Sequence, residues 1–178
     1  CSSDLSCVAA KRFVVVDGLH DRFVELLCEE LAKVRVGDPL DPATELGPLA
    51  RPDLAATLRD QVARTITAGA TKAFELPVPD GPCWAPATVL TQLDFGRPAW
   101  REETFGPLFA VARAEHFQHA GRLARASNFG LGAAVWGELS PQELRDLLAE
   151  LRVGTVALND IVRSYPELPF GEIGRAHV

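Results

Sequence analysis

The run Phe13-Val14-Val15-Val16, bounded by Asp17-Gly18, decides the fold. It is continuously apolar and rich in β-branched residues, which is typical of a strand buried on both faces. From Leu19 to Val34, apolar residues then recur at the three- and four-residue spacing of one helix face, ending near Gly37. A buried strand followed by an amphipathic helix is the unit from which α/β sheets are built.

The same alternation continues along the chain. A second amphipathic helix is predicted at about 53–68, ended by Gly69, and Ser140-Pro141-Gln142-Glu143 is typical of the capped start of another. The remaining predicted elements are strands at 88–90, 108–112, 131–136 and 154–158, a helix around 117–124, and proline-rich loops at 38–52 and 77–86. The sequence therefore predicts one α/β domain, a sheet with helices on its faces.

Composition excludes several classes of function. The 178 residues are 47% hydrophobic and carry a net charge of -6, without a basic run, so neither nucleic acid nor an anionic membrane is an expected partner. Apolar stretches are too short to span a bilayer, and we expect a cytoplasmic protein. The cysteines and histidines lack zinc-ligand spacing, so no metal is expected. Methionine is absent, which suggests a piece of a longer chain.

Cys7 is the first candidate for chemistry. It precedes Val8-Ala9-Ala10, which leads through Lys11-Arg12 into the first strand, so a thiol could be presented at a strand end. Nearby positive charge stabilises a thiolate, which a nucleophilic cysteine needs. From the residues alone, the alternative of a small buried apolar side chain stays open.

A second candidate is the loop Glu102-Glu103-Thr104-Phe105-Gly106-Pro107, directly before a predicted strand. Two readings are open for it. In the first, its carboxylates are solvated and Phe105 belongs to the core. In the second, the loop presents a carboxylate to a ribose hydroxyl and an aromatic face to a flat ring. The later loop 159–171 is long enough to line a pocket.

Eight segments follow one another in a distinctive order. They are Ser6-Cys7-Val8-Ala9-Ala10-Lys11-Arg12-Phe13, Gly37-Asp38-Pro39-Leu40-Asp41, Gly47-Pro48-Leu49, Pro86-Ala87-Thr88-Val89-Leu90, Glu102-Glu103-Thr104-Phe105-Gly106-Pro107, Asn128-Phe129-Gly130-Leu131, Gly154-Thr155-Val156 with Asn159, and Leu168-Pro169-Phe170-Gly171. Taken together, they resemble the aldehyde dehydrogenase superfamily and, in detail, its succinate-semialdehyde dehydrogenase branch. The resemblance covers about residues 6–171, and the ordered set is far more specific than any single member.

The resemblance implies a reaction and a role for each candidate. Cys7 would attack an aldehyde, its amide would help bind the oxyanion, and hydride transfer to NAD or NADP would leave a thioester for water to hydrolyse. Glu103 would bind the nicotinamide ribose and Phe105 would pack near the nicotinamide. Phe170 would wall the aldehyde pocket, and Ser164 would bind the carboxylate of succinate semialdehyde.

The resemblance also implies a three-layer, mostly parallel sheet with helices on both faces, as an incomplete catalytic domain. The cofactor-binding domain, the general-base glutamate and the oxyanion asparagine of the family have no counterpart in these 178 residues. We therefore expect the chain to be inactive alone, the choice between NAD and NADP to be made elsewhere, and the parent to be a homodimer or homotetramer. The alternatives are a non-catalytic binding or assembly module and an acylating enzyme that passes the thioester to coenzyme A.

The family pattern stops abruptly at both ends, at Asp4-Leu5 and at Glu172-Ile173. Residues 172–176 can be written GAG ATC GGA AGA GCA, whose reverse complement translates to Cys-Ser-Ser-Asp-Leu, the sequence of residues 1–5. An in-frame inverted repeat at both breaks suggests translated adaptor DNA. We expect residues 1–5 and 172–178 to be non-native; genuine divergence and unrelated vector residues are the alternatives.

Sequencing the source DNA across both junctions tests this expectation. An adaptor origin predicts that the intact gene carries other codons in place of Asp4-Leu5 and Glu172-Ile173, because these pairs belong to the inverted repeat. The same codons found at both junctions of an intact gene would exclude it.

Overall fold

The computed structural model describes residues 9–169 and 171. Strands and helices alternate along this part of the chain, as predicted. They are β1 (Arg12–Val16), α1 (Asp17–Leu31), α2 (Pro52–Thr67), β2 (Thr71–Glu75), β3 (Thr88–Thr91), α3 (Pro98–Arg101), β4 (Leu108–Ala114), α4 (Phe117–Arg125), β5 (Gly132–Val135), α5 (Pro141–Glu150) and β6 (Thr155–Leu158). The strand β2 and the short helix α3 were not predicted.

The strands form two groups. Four of them make a sheet in the order β1-β4-β3-β2, in which β4 runs parallel to both β1 and β3 and β2 is an antiparallel edge strand. The parallel pair β5-β6 forms a second, two-stranded sheet. The expectation of a mostly parallel sheet is confirmed, with its strands divided between two sheets among the described residues.

Helices cover both faces of the four-stranded sheet. On one face, Val89 and Val111 pack in a cluster with Leu27 of α1. On the other face, Leu90 packs in a cluster with Leu58 of α2, and the same cluster includes residues of α3 and α4. Because neighbouring strand residues point to opposite faces, one strand serves both clusters, and the predicted three-layer arrangement is confirmed.

The predicted apolar stripe of α2 is Leu54, Leu58, Val62 and Ile66, and the buried face of the helix is rotated from it. Ile66 is 37% exposed, whereas Thr65 and Gln61 are buried at 0% and 5% exposure. Thr65 Oγ1 donates to the Gln61 carbonyl at 2.6 Å and accepts from the backbone amide of Ala99 at 3.0 Å. Because its hydroxyl is fully hydrogen-bonded, a polar residue can occupy the face on which α3 docks.

Local sequence features set the ends of other helices. Ser140 and Glu143 form the predicted reciprocal cap of α5, with amide-to-side-chain distances of 2.8 and 3.3 Å.

In α1, Leu19 is 62% exposed, although the predicted stripe included it. Within residues 9–169 and 171, no helix is both long enough and apolar enough to cross a membrane.

Gly106 allows the loop before β4 to approach α2 closely. Its φ is +150°, a conformation that side chains other than glycine rarely adopt. A Cβ at this position would collide with the side chain of Leu58, which is only 2% exposed. The loop Glu102–Pro107 is therefore set against α2 by the absence of a side chain at one position.

Gly106→Ala is expected to lower the free energy of unfolding by about 1–3 kcal/mol, because the alanine would be strained and would displace Leu58. Urea denaturation of the 178-residue chain measures the change. Gly18→Ala is the matched control, since a Cβ there meets nothing within 4 Å. Equal denaturation midpoints for both variants would contradict the expectation.

Candidate active site

The parallel pairing of β1 with β4 brings two distant segments to one edge of the sheet. Arg12 pairs with Ala110 at the start of β1, and the register continues to Val16 opposite Ala114. Parallel strands begin at the same edge, so the residues that lead into them lie near one another. At this edge the segment that follows Cys7 meets the loop that contains Glu103 and Phe105.

A direct contact joins the two segments. The Lys11 Nζ lies 5.2 Å from the centroid of the Phe105 ring, within the range of a cation–π interaction. Such a contact contributes about 0.5–1 kcal/mol at an exposed site. Phe105 remains 37% exposed, so the alternative that it belongs to the core is wrong. The ring is held in place while part of its surface stays accessible.

Glu102 is fastened to α2. Its carboxylate accepts two hydrogen bonds from Arg64, at 2.7 and 2.8 Å, and one from Gln61 Nε2 at 3.2 Å. The hydrogen bonds from Arg64 are the largest cause that holds the pKa of Glu102 below its ordinary value. The same Gln61 nitrogen donates to the carbonyl oxygen of Glu103 at 3.0 Å. Side chain and backbone of the loop are thus both bound to α2.

Glu103 and Phe105 face outward, whereas the residue between them does not. Thr104 is 1% exposed, and its two neighbours are exposed. This alternation places a carboxylate and an aromatic ring next to each other on the accessible side of the loop. Such a pair fits a nicotinamide riboside, since a carboxylate can accept from ribose hydroxyls and a ring can pack on a planar base.

Arg12 supports this edge from within the sheet. Its Nη1 donates to the Trp100 carbonyl at 3.1 Å, and its guanidinium lies 5.0 Å from the centroid of the Phe129 ring. Burial lowers the pKa of Arg12, and the nearby charge of Glu103 partly opposes that shift. Trp100 is fully buried and donates from its indole nitrogen to the Ala126 carbonyl at 3.1 Å. Arg12 therefore connects β1 with α3 and with the segment before β5.

The other predicted site residues are placed less completely. Cys7 and Phe170 lie outside the described residues. Ser164 is exposed and follows β6 in a segment without regular structure. That segment turns back along β5, because a Cβ at Gly132 would lie 2.7 Å from a methyl group of Val162. Among the described residues, Glu103 and Phe105 lie on one exposed loop, and Ser164 lies in a different segment.

Cys28 and Asn159 each have surroundings that indicate a structural role. Burial raises the pKa of the Cys28 thiol, which packs on the α1 side of the sheet and suits the predicted space-filling role. Asn159 has a φ of +51°, and its side chain hydrogen-bonds to both backbone polar groups of Gly137, at 2.8 and 3.1 Å. Within residues 9–169 and 171, no cluster of three or more His, Cys, Asp or Glu side chains could hold a metal ion.

Sequence reasoning missed Gln61 and Arg64. Gln61 comes three residues after Leu58 and so falls on the apolar face of α2, where a polar side chain needs an explanation. That position was the available signal. No comparable signal marks Arg64, because its partner Glu102 lies 38 positions away in sequence.

Known proteins are similar to this chain in both sequence and fold. The family model described as "Aldehyde dehydrogenase family" matches residues 2–176. This range includes parts of both terminal stretches, whose origin stays a prediction. The succinate-semialdehyde dehydrogenase [NADP(+)] of Mycobacterium avium (strain 104) is 38% identical over 172 residues, which is 96% of this chain and 36% of the relative. The corresponding Mycobacterium leprae protein is also 38% identical, over 96% of this chain and 37% of its own length.

Solved structures give the same result. The crystal structure of succinic semialdehyde dehydrogenase from Streptococcus pyogenes with NADP+ superimposes with a TM-score of 0.86 at 31% identity, over 95% of this chain and 37% of that one. Betaine aldehyde dehydrogenase from Staphylococcus aureus, with NAD+, has a TM-score of 0.85 at 26% identity, over 96% and 35% of the two chains.

The chain spans about a third of the length of these relatives, for example 36% of the Mycobacterium avium protein. Within that span, the predicted resemblance is confirmed by the family match, by sequence identity and by the superposition of the fold. The chain belongs to the aldehyde dehydrogenase family.

Proposed function

We propose that residues 6–171 are part of the catalytic domain of an NADP-dependent dehydrogenase that oxidises succinate semialdehyde to succinate. The observation that carries the proposal is the contact of Lys11 with Phe105. It brings the segment that begins four residues after Cys7 against the loop that is suited to the nicotinamide riboside. A nucleophile and a hydride acceptor must lie side by side for this reaction, and the contact of Lys11 with Phe105 supports such an arrangement at this sheet edge.

The relatives support the substrate and the cofactor. Those from Mycobacterium avium and Mycobacterium leprae are named succinate-semialdehyde dehydrogenase [NADP(+)]. NADP is accordingly the proposed cofactor, and NAD is the alternative, because the Staphylococcus aureus structure contains NAD+. The choice depends on groups that contact the ribose 2′ position, and Glu103 and Phe105 face the other end of the dinucleotide in this proposal.

Cys7 carries the covalent chemistry in this proposal. Its thiolate attacks the aldehyde carbon and forms a thiohemiacetal, whose oxyanion the Cys7 amide helps to stabilise. NADP+, when bound, accepts the hydride from that carbon. The product of that transfer is a thioester on Cys7, which water hydrolyses to the carboxylate and the regenerated thiol.

Glu103 and Phe105 would orient the cofactor. An accepted hydrogen bond from the ribose and a packed ring restrict the position of the nicotinamide relative to Cys7, which lowers the entropic cost of hydride transfer. The cation–π contact from Lys11 holds the Phe105 ring, and the charge of Arg12 lies near the Glu103 carboxylate. Glu103 and Phe105 are thus both supported from the β1 side.

Phe170 and Ser164 would form the substrate side. In the proposal, the Phe170 ring walls the aldehyde pocket, and the Ser164 hydroxyl donates to the distal carboxylate of succinate semialdehyde. The exposure of Ser164 suits this role, since its hydroxyl is accessible to a ligand. The return of its segment alongside Gly132 brings it toward the edge where β5 begins.

Cys7→Ser in the full-length enzyme is expected to reduce kcat for succinate semialdehyde below about a thousandth of the wild-type value, because the nucleophile is lost. Formation of NADPH at 340 nm measures it. Cys28→Ser is the matched control and should keep activity, since Cys28 lies on α1, partly buried against the hydrophobic cluster on that face of the sheet. Full activity of Cys7→Ser would exclude the assigned role.

Alkylation of the full-length enzyme separates this proposal from a non-catalytic module with the same fold. Iodoacetamide should modify Cys7 faster than Cys28, whose thiol has a raised pKa, and aldehyde or NADP should protect Cys7. Mass spectrometry of the peptides identifies the modified thiol. An inert Cys7 would indicate a module, and a requirement for coenzyme A in product formation would indicate an acylating enzyme.

The 178-residue chain alone is expected to give no NADPH from succinate semialdehyde. Glu103 and Phe105 are solvent-exposed in this chain, so a bound nicotinamide would stay open to water on one side. The absorbance assay at high protein concentration tests this, with the full-length enzyme as the positive control. Measurable turnover by the purified chain would contradict the expectation.

A further inference from the structure

Gln61 occupies an unusual position. It lies on the buried face of α2 with 5% exposure, where an apolar side chain would serve the core. Its single side-chain nitrogen donates to Glu102 Oε2 at 3.2 Å and to the Glu103 carbonyl at 3.0 Å. An amide nitrogen carries two hydrogens, so the donor capacity of Gln61 is spent entirely on the loop before β4.

Arg64 completes the attachment one helical turn later. Its Nη1 and Nη2 donate to the two oxygens of Glu102, and its Nε donates to Asp60 at 2.7 Å. Asp60 therefore helps to orient the guanidinium toward the loop. Arg64 and Glu102 are both about two-fifths exposed, whereas Gln61 is buried, so water competes least at the Gln61 hydrogen bonds.

Gln61 binds the loop 102–107 through two acceptors, the side chain of Glu102 and the backbone carbonyl of Glu103. Its hydrogen bond to the Glu103 carbonyl sets the orientation of the peptide group between Glu103 and Thr104. That peptide determines the direction in which the Glu103 side chain leaves the chain and where the Phe105 ring begins. Thr104 is 1% exposed, so its burial also keeps the loop attached to the fold.

We propose that Gln61 is a positioning residue for hydride transfer, one that sets the direction of the Glu103 carboxylate and the Phe105 ring from the buried face of α2. The inference rests on the proposed function. Gln61 itself touches neither the cofactor nor the substrate in this proposal. Its loss should leave the loop folded, because Arg64 and Thr104 still hold it, but with a wider range of orientations.

The test is Gln61→Met in the full-length enzyme, because methionine has similar length and no donor. Hydrogen exchange of the apoenzyme should become faster in peptides that cover 102–107, and the dissociation constant of NADPH should rise about threefold to tenfold. The value of kcat should fall about tenfold, with an increased primary deuterium isotope effect from deuterated aldehyde. The KM for the aldehyde should change little.

Val24→Ala is the control for general destabilisation. Val24 packs on the opposite face of the sheet, in the cluster that includes Leu27. This variant should lower the denaturation midpoint while leaving exchange at 102–107, NADPH affinity and the isotope effect unchanged. A merely structural role for Gln61 predicts the same pattern for Gln61→Met, and that result would overturn the proposal.

Glu102→Gln is a second variant, and its effects are compared with those of Gln61→Met and of the double substitution. The amide keeps an oxygen for Gln61 but weakens the pairing with Arg64, so loop exchange should again become faster. The effects of the two substitutions on NADPH affinity should be less than additive, because both act on one attachment. Additive effects, or unchanged exchange at 102–107 in both variants, would overturn the role of Gln61.

The measurements separate this inference from the function on which it rests. A wild-type enzyme that oxidises no aldehyde would refute the proposed function and with it the role in hydride transfer, whatever the exchange shows. An active wild type together with a Gln61→Met variant of unchanged exchange, affinity and isotope effect would refute the positioning role alone. Faster exchange with unchanged kinetics would refute it as well.

Discussion

The parallel register of β1 against β4 is the constraint on which the candidate site depends. Arg12 lies opposite Ala110, and both strands begin at the edge where Lys11 meets Phe105. A slip of one residue would send Arg12 to the α1 side of the sheet, away from the Trp100 carbonyl. Helices on both faces resist such a slip, because β4 buries side chains in both clusters and β1 packs partly buried side chains against both. The packing of the sheet therefore also determines the geometry of the site.

The adjacent carboxylates Glu102 and Glu103 have different environments: Glu102 pairs with α2, and Glu103 faces solvent. Glu102 is turned toward α2, and its lowered pKa means that its pairing with Arg64 stabilises the fold above the ordinary carboxyl pKa. That contribution is lost as the pH falls through the lowered folded pKa. Its energy is small, because Arg64 and Glu102 are both partly solvated, so its main effect is geometric. Glu103 can then face outward from a loop whose position is already set.

The sequence predicted those parts of the structure that depend on local pattern. The apolar run before Asp17 became β1, and the capped start at Ser140 became α5, because propensity and capping act over a few residues. Glu103 and Phe105 were singled out by a family resemblance and are both exposed on one loop, while their roles stay predictions. The division of the strands into two sheets and the attachment of the loop to Gln61 could not be predicted, because they depend on packing between segments about 40 positions apart, as Gln61 and Glu102 are.

Arg12 links the two halves of the proposed reaction. It comes five residues after Cys7, and its guanidinium is held by the Trp100 carbonyl and the Phe129 ring. Burial lowers its pKa, but an arginine begins so far above neutrality that the side chain stays charged. In the proposed reaction, the charge of Arg12 therefore couples the carboxylate that would bind the cofactor to the strand that follows the proposed nucleophile.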